Sequence, residues 1–212
     1  MHRWDFGPVW AYADLLLLGL WHTLQVTGTA LAFGVPLGLA LALMRLSPRR
    51  WLRWPAGFVI EVFRTTPPLV QLFWFFFALP ILVQVEMTPF VAAALTFSIQ
   101  SAAFFAEVFR GGIVSVERGQ WEAGRALGMT PRQTLRRVVL PQAVKRMIPA
   151  FMERAIELMK TTTLVATVSY ADLLFQANEV AQKTFRPLEV FTVAALLYFG
   201  RSEERRVGKE CR

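Results

Sequence analysis

Cysteine is almost absent from this chain. Cys211 is the only one, which excludes an internal disulfide and a multi-cysteine metal site. Histidine is nearly as scarce: His2 and His22 are too few to build a metal set. No G-x-x-x-x-G-K-[ST] run occurs, so the chain has no loop of the kind that cradles nucleotide phosphates. Neither H-E-x-x-H nor G-x-S-x-G is present, and no cysteine falls inside an apolar run. We therefore expect no catalytic residues, no metal and no cofactor held by this chain. Acidic residues are also few, 15 against 23 lysines and arginines, for a net charge of +8. Such a balance raises nucleic acid as a partner, but no basic face is interleaved with exposed aromatics, and that reading is set aside.

What the chain has in abundance is apolar surface. Hydrophobic residues make up 55% and mean hydropathy is +0.41, with apolar runs near the length that crosses a bilayer. This predicts an all-α integral membrane protein of five spans. The first covers residues 15–44, longer than the hydrocarbon requires, with Pro36 as a kink point. The second, residues 52–83, is interrupted at Thr65-Thr66-Pro67-Pro68, and proline chemistry favours two half-helices there. The third covers residues 89–109 and the fourth residues 142–168. The fifth starts near Leu188 and stops at Gly200, too short to cross. The first apolar run is too long for a cleavable signal, and no small-residue cleavage site follows it.

Positive charge sets the expected orientation. Arg45, Arg49, Arg50 and Arg53 lie between the first two spans. Arg110, Arg118, Arg125, Arg132, Arg136, Arg137, Lys145 and Arg146 lie between the third and fourth. The other connections hold only Arg3, Lys183 and Arg186. The asymmetry places the N-terminus outside and residues 110–146 in the cytoplasm.

Within that basic loop, residues 122–141 read EAGRALGMTPRQTLRRVVLP. Ala123, Gly124 and Ala126 are small enough for close packing, and Glu122 and Arg125 can pair with a partner. Gly128 permits a turn that a Cβ resists. Thr130-Pro131 restarts a helix with a cap and a proline at its first position, and Leu140-Pro141 marks re-entry into the membrane. An ordinary amphipathic surface helix is the plainer alternative.

The spacing E-A-G, three residues, Gly128, nine residues, then Val138-x-Leu140-Pro141 resembles the EAA loop of ABC-importer permeases. The run AAFFAEVFRGGIVSVERGQWEAGRALGMTPRQTLRRVVLPQAVKRMIP, ending at Pro149, is similar to the polar-amino-acid branch of that family. EVFRTTPPLVQL from Glu61 and LMKTTTLV from Leu158 extend the likeness over residues 15–199. Gly124 stands for the motif's second alanine and Val138 for an isoleucine, both mild departures. The resemblance implies a permease that carries polar amino acids by alternating access in the inner membrane of a bacterium. It would couple through Glu122, Ala123, Gly124, Arg125, Gly128, Leu140 and Pro141 to separate ABC ATPase subunits, which hold the ATP and Mg. The other implied partners are a second permease copy or a sister permease, an external solute-binding protein and the lipid bilayer.

Polar residues inside spans are costly and should face protein or water. Helical rise places Gln100, Glu153 and Glu157 at similar depth, where they could line a cavity for a zwitterion. A purely structural reading, with Glu157 paired to Lys160, stands equally beside it. Glu107 and Arg110 close the third span, as a gate, a subunit contact or a structural ion pair. Gly34 and Gly38 form a small-x-x-x-small pair for packing within the chain or between copies. His22 reads as a hydrogen-bonded helix contact, and the aromatic block from Phe73 to Phe77 as packing.

Residues 1–200 are thus expected to form the permease domain. The tail RSEERRVGKECR, residues 201–212, breaks the pattern and reads as translated sequencing adapter, with a genuine basic tail as the alternative. A permease for another small solute remains a competing function, and a secondary transporter or a multispan enzyme a more distant one. The Gly128 loop argues against those last two.

Overall fold

The computed structural model describes residues 4–203. The tail expected to be foreign lies beyond them, apart from the end of the last helix. Among the described residues every regular element is helical. A short α1, Gly7–Trp10, precedes α2, Ala13–Leu46, whose 34 residues run on through Pro36. Helix α3 spans Arg50–Thr65. After a break, α4, Pro68–Phe73, passes through a π turn, Trp74–Ala78, into α5, Leu79–Val83. Helix α6, Pro89–Val114, is followed by α7, Arg118–Ala126, and α8, Pro131–Thr134. A second π turn, Leu135–Val139, leads into α9, Leu140–Thr161, which continues as a 3-10 helix, Thr162–Val168. Helices α10, Leu173–Thr184, and α11, Pro187–Glu203, are the last of the described elements.

Among the described residues two helices, α2 and α6, are long and apolar enough to cross a membrane. The bent pair α3 with Pro68–Val83 would make a third. The break falls at Thr66-Pro67, where the expected half-helices part. Gln71 closes it, donating from Nε2 to Phe63 O and Thr66 O, both at 3.0 Å. The fourth expected span is helical throughout residues 140–168 but not uniformly apolar, since Lys145, Arg146, Glu153, Arg154, Glu157 and Lys160 punctuate α9. Helix α11 has an apolar stretch, Pro187–Phe199, below spanning length. Helix α10 was not expected from the sequence, where residues 165–187 read as a connection.

The chain divides into two compact units. One takes the described residues up to Gly28, Leu72–Ala94 and those from Met159 on. Its core joins Val9 and Leu16 to Leu173, Ala177, Val180 and Val190. Helix α2 packs closely on the start of α10, because a Cβ on Gly19 would lie 2.8 Å from Asp172 O. Polar contacts pin the same junction. Asp172 caps α10 by accepting from Phe175 N at 2.9 Å, and Leu173 N donates to Thr23 Oγ1 at 3.2 Å. His22 Nδ1 lies 2.8 Å from Ala171 O, the helix contact expected for it.

The other unit takes Thr29–Gln71 and Leu95–Leu158. Here the small pair on α2 meets α6: Gly34 lies against the Ser101 side chain, and a Cβ on Gly38 would come within 2.8 Å of Ala102 O. Of the two roles open to these glycines, packing within the chain is the one the structure displays. Ser101 Oγ also donates to Ala30 O at 3.1 Å, so the tight approach carries a hydrogen bond as well.

Candidate functional site: an exposed helical hairpin and an amphoteric cavity

Gly128 is where the loop turns. Its φ is +73°, the left-handed region that only glycine occupies without strain. The backbone closes α7 as a Schellman motif: Met129 N donates to Gly124 O at 3.0 Å and Gly128 N to Arg125 O at 2.9 Å. Helix α8 then starts on a capping box. Gln133 N donates to Thr130 Oγ1 at 3.4 Å, and Thr130 N donates to Gln133 Oε1 at 2.9 Å. Stop and start signals two residues apart make a rigid hairpin from a segment too short to hold helices by propensity alone.

The hairpin is seated by a small core. Val116, Val139 and Ala143 are buried, with Trp121, Leu135 and Met147 packed on them. Gln142 Nε2 donates to Gln120 Oε1 at 3.2 Å, tying the start of α9 to α7. Arg146 donates to Ser115 O at the end of α6. Gly124 faces inward, buried against Thr134, whereas Glu122, Ala123, Arg125, Gly128, Leu140 and Pro141 are exposed. Gly124 therefore serves the hairpin's own packing. Sequence reasoning missed Leu127, which is 75% exposed beside the turn and is its most prominent apolar feature. A large apolar residue directly before the turning glycine was the available signal.

A cavity of about 450 Å³ lies in the same unit, lined by Arg64, Phe104, Glu107, Arg146, Glu153 and Arg154 among others. Both charge signs are present on its wall. The Arg154 guanidinium sits over the Phe104 ring, 4.5 Å from its centre. Glu107 accepts from Arg110 Nε and Nη2 at 2.9 and 2.7 Å and pairs with Arg45 Nε at 3.3 Å. The ion pair expected of Glu107 and Arg110 is thus present, with Arg45 as a third member.

Of the three residues expected to share a cavity, only Glu153 lines this one. Gln100 is buried in α6, and Glu157, for which Lys160 is the expected alternative partner, ion-pairs with Arg154 one turn earlier. Helical rise gives depth along a helix but does not fix which face points inward.

A family model described as a binding-protein-dependent transport system inner membrane component matches residues 34–200. The chain belongs to that family. It is accordingly an inner-membrane transport subunit and not an enzyme. Among curated relatives, the octopine transport system permease protein OccM of Rhizobium meliloti is 36% identical over 203 residues, covering 91% of this chain and 83% of that protein. The L-cystine transport system permease protein TcyB of Bacillus subtilis is 38% identical, covering 92% and 83%. The glutamate/aspartate import permease protein GltK of Escherichia coli O157:H7 is 34% identical, covering 94% and 92%. Among solved structures, an amino acid ABC transporter crystallised with histidines superposes at a TM-score of 0.89 with 35% identity, over 95% of this chain and 94% of that one. The methionine ABC transporter MetNI, at 0.71 and 22%, shares the fold.

Proposed function

We propose that this permease carries polar amino acids across the inner membrane by alternating access, and that the hairpin of residues 122–141 docks on a separate ABC ATPase. The observation that carries the reading is the hairpin itself. It is braced from within by Gly124, Trp121 and Val139, yet it presents Glu122, Arg125 and Leu127 outward. A rigid element with a mixed polar and apolar exposed face suits a cleft in a moving partner. ATP and Mg belong to that partner.

The family description supports a binding protein that delivers the solute. In this reading the permease pairs with a second copy or a sister permease. The relatives' named cargoes are amino acids and an opine, which favours a zwitterionic solute here. The cavity suits one, since Arg64, Arg146 and Arg154 can receive a carboxylate and Glu153 an ammonium. In this reading α2, the broken pair, α6, and α9 with its 3-10 extension make four crossings, and the apolar part of α11 begins a fifth. The basic loops then face the cytoplasm and the N-terminus lies outside. Of the charged residues on α9, Arg146, Glu153 and Arg154 line the cavity, and Glu157 pairs with Arg154.

The test is co-purification of the permease with its candidate ATPase, comparing wild type with Gly128→Asp. Wild type captures the ATPase. The variant loses it while inserting normally, because a side chain there meets no neighbour within 4 Å and disturbs only the turn. Failure of folded wild type to capture a competent ATPase would defeat the coupling role.

A further inference from the structure

A second recess, about 600 Å³, opens where α2 ends and α3 begins. Arg45, Arg53 and Arg110 line it, opposed on its own wall only by Glu61. Even counting Glu107, which engages Arg45 and Arg110, three cations face two carboxylates. Arg49 and Arg50 stand next to it in sequence, ahead of and at the start of α3. Arg53 forms no ion pair among the described residues and is exposed. The recess is built in one respect: Gly57 on α3 leaves the room in which the Arg45 guanidinium lies, since a Cβ there would strike Arg45 Nη1.

Its rim is aromatic. Trp54 and Phe58 line the recess and are 73% and 72% exposed, with Trp51 one turn earlier on α3 at 67%. Large indole and phenyl faces left bare beside arginines, at the end of a membrane-length helix, match the level of lipid headgroups. Solvent would make such a surface costly, and a purely apolar partner would strand the guanidinium groups.

We propose that this recess binds the headgroup of an anionic phospholipid, with Arg53 and Arg45 on the phosphate and Trp54 and Phe58 against the glycerol and upper acyl chain. Charge complementarity selects the anionic lipid over a zwitterionic one, and the aromatic rim selects a lipid over a free anion. The inference does not depend on which solute is carried or on what the hairpin engages.

The experiment is native mass spectrometry of the full transporter complex released from nanodiscs holding equal phosphatidylglycerol and phosphatidylcholine. Wild type retains phosphatidylglycerol preferentially. Arg53→Gln lowers that preference roughly fivefold, the effect of one basic side chain at an anionic surface, while Arg53→Lys keeps it. Arg53 is exposed, so these variants leave the fold intact, and a matched melting temperature checks this. Equal retention of the two lipids by wild type, an unchanged preference in Arg53→Gln, or displacement of the lipid by inorganic phosphate would each overturn the proposal. Retention of no lipid would also overturn it and leave the recess to a second copy of the chain.

Discussion

Gly124 on α7 rests on the side chain of Thr134, so closely that a Cβ on Gly124 would lie 2.6 Å from Thr134 Cγ2. The two residues are one of the points at which the arms of the hairpin touch. Gly124→Ala should therefore cost about 1–3 kcal/mol through overpacking. Thr134→Ala, which removes Cγ2 and the almost equally close Oγ1, should restore most of the loss. A double-mutant cycle on thermal unfolding of the permease–ATPase complex measures this, and strictly additive effects would contradict direct contact.

At Gly128 the strain is conformational, because no atom lies near the missing Cβ. Gly128→Ala is expected to destabilise the hairpin by about 1–2 kcal/mol, and Gly128→Asn by less. Hydrogen exchange over residues 118–139 reads the difference. Equal protection in all three proteins would show that the turn does not need its left-handed residue.

Asp172 supplies a pH dependence. It is buried, and desolvation raises its carboxyl from the ordinary 3.8 to about 6. A raised carboxyl binds its proton more tightly folded than unfolded. Its contribution to stability should thus be largest at acid pH and decline as pH rises from about 3.8, levelling off above about 6, by an amount on the order of 1–3 kcal/mol. Asp172→Asn keeps an N-cap and should flatten the profile across that window. A wild-type stability that instead rises over the same window, with the variant following it, would show that Asp172 does not titrate this way.

Glu153 and Glu157 separate the two readings of α9. Glu153 lines the cavity, whereas Glu157 engages Arg154. Losing one charged hydrogen bond to the solute is worth about 1.5–3 kcal/mol, so Glu153→Gln should raise the KM for uptake roughly tenfold or more. Glu157→Gln should stay near wild type. Uptake into vesicles decides between them, and the reverse ranking would move the solute site along the helix.

Local grammar was legible in the sequence wherever one residue determines its own backbone. Pro67 and Pro68 announced the break after Thr66, Gly128 the left-handed turn, and Thr130-Pro131 the helix start. Charge spacing also exposed the loop as a loop. What stayed hidden depended on partners distant in sequence. Nothing near Glu107 names Arg45 as its third member, and nothing near Gly124 names Thr134 as the side chain it must clear. Helix α10 was hidden for a different reason. Its apolar positions Leu173, Ala177, Val180 and Ala181 follow helical spacing, but a search tuned to bilayer-length runs passes over twelve residues. The cavity residues were half legible, since position along α9 follows from rise while the facing direction needs the neighbouring helix.

The π turn at Leu135–Val139 gives α9 a property that a plain connection would lack. Such a turn stores about one residue more than an α turn. Releasing that residue would rotate everything after it by about 100° and advance it by about 1.5 Å. Glu153 and Arg154 are mounted on that shaft. A change at that seat would therefore present different side chains to the cavity wall by turning the helix, with little bending of it.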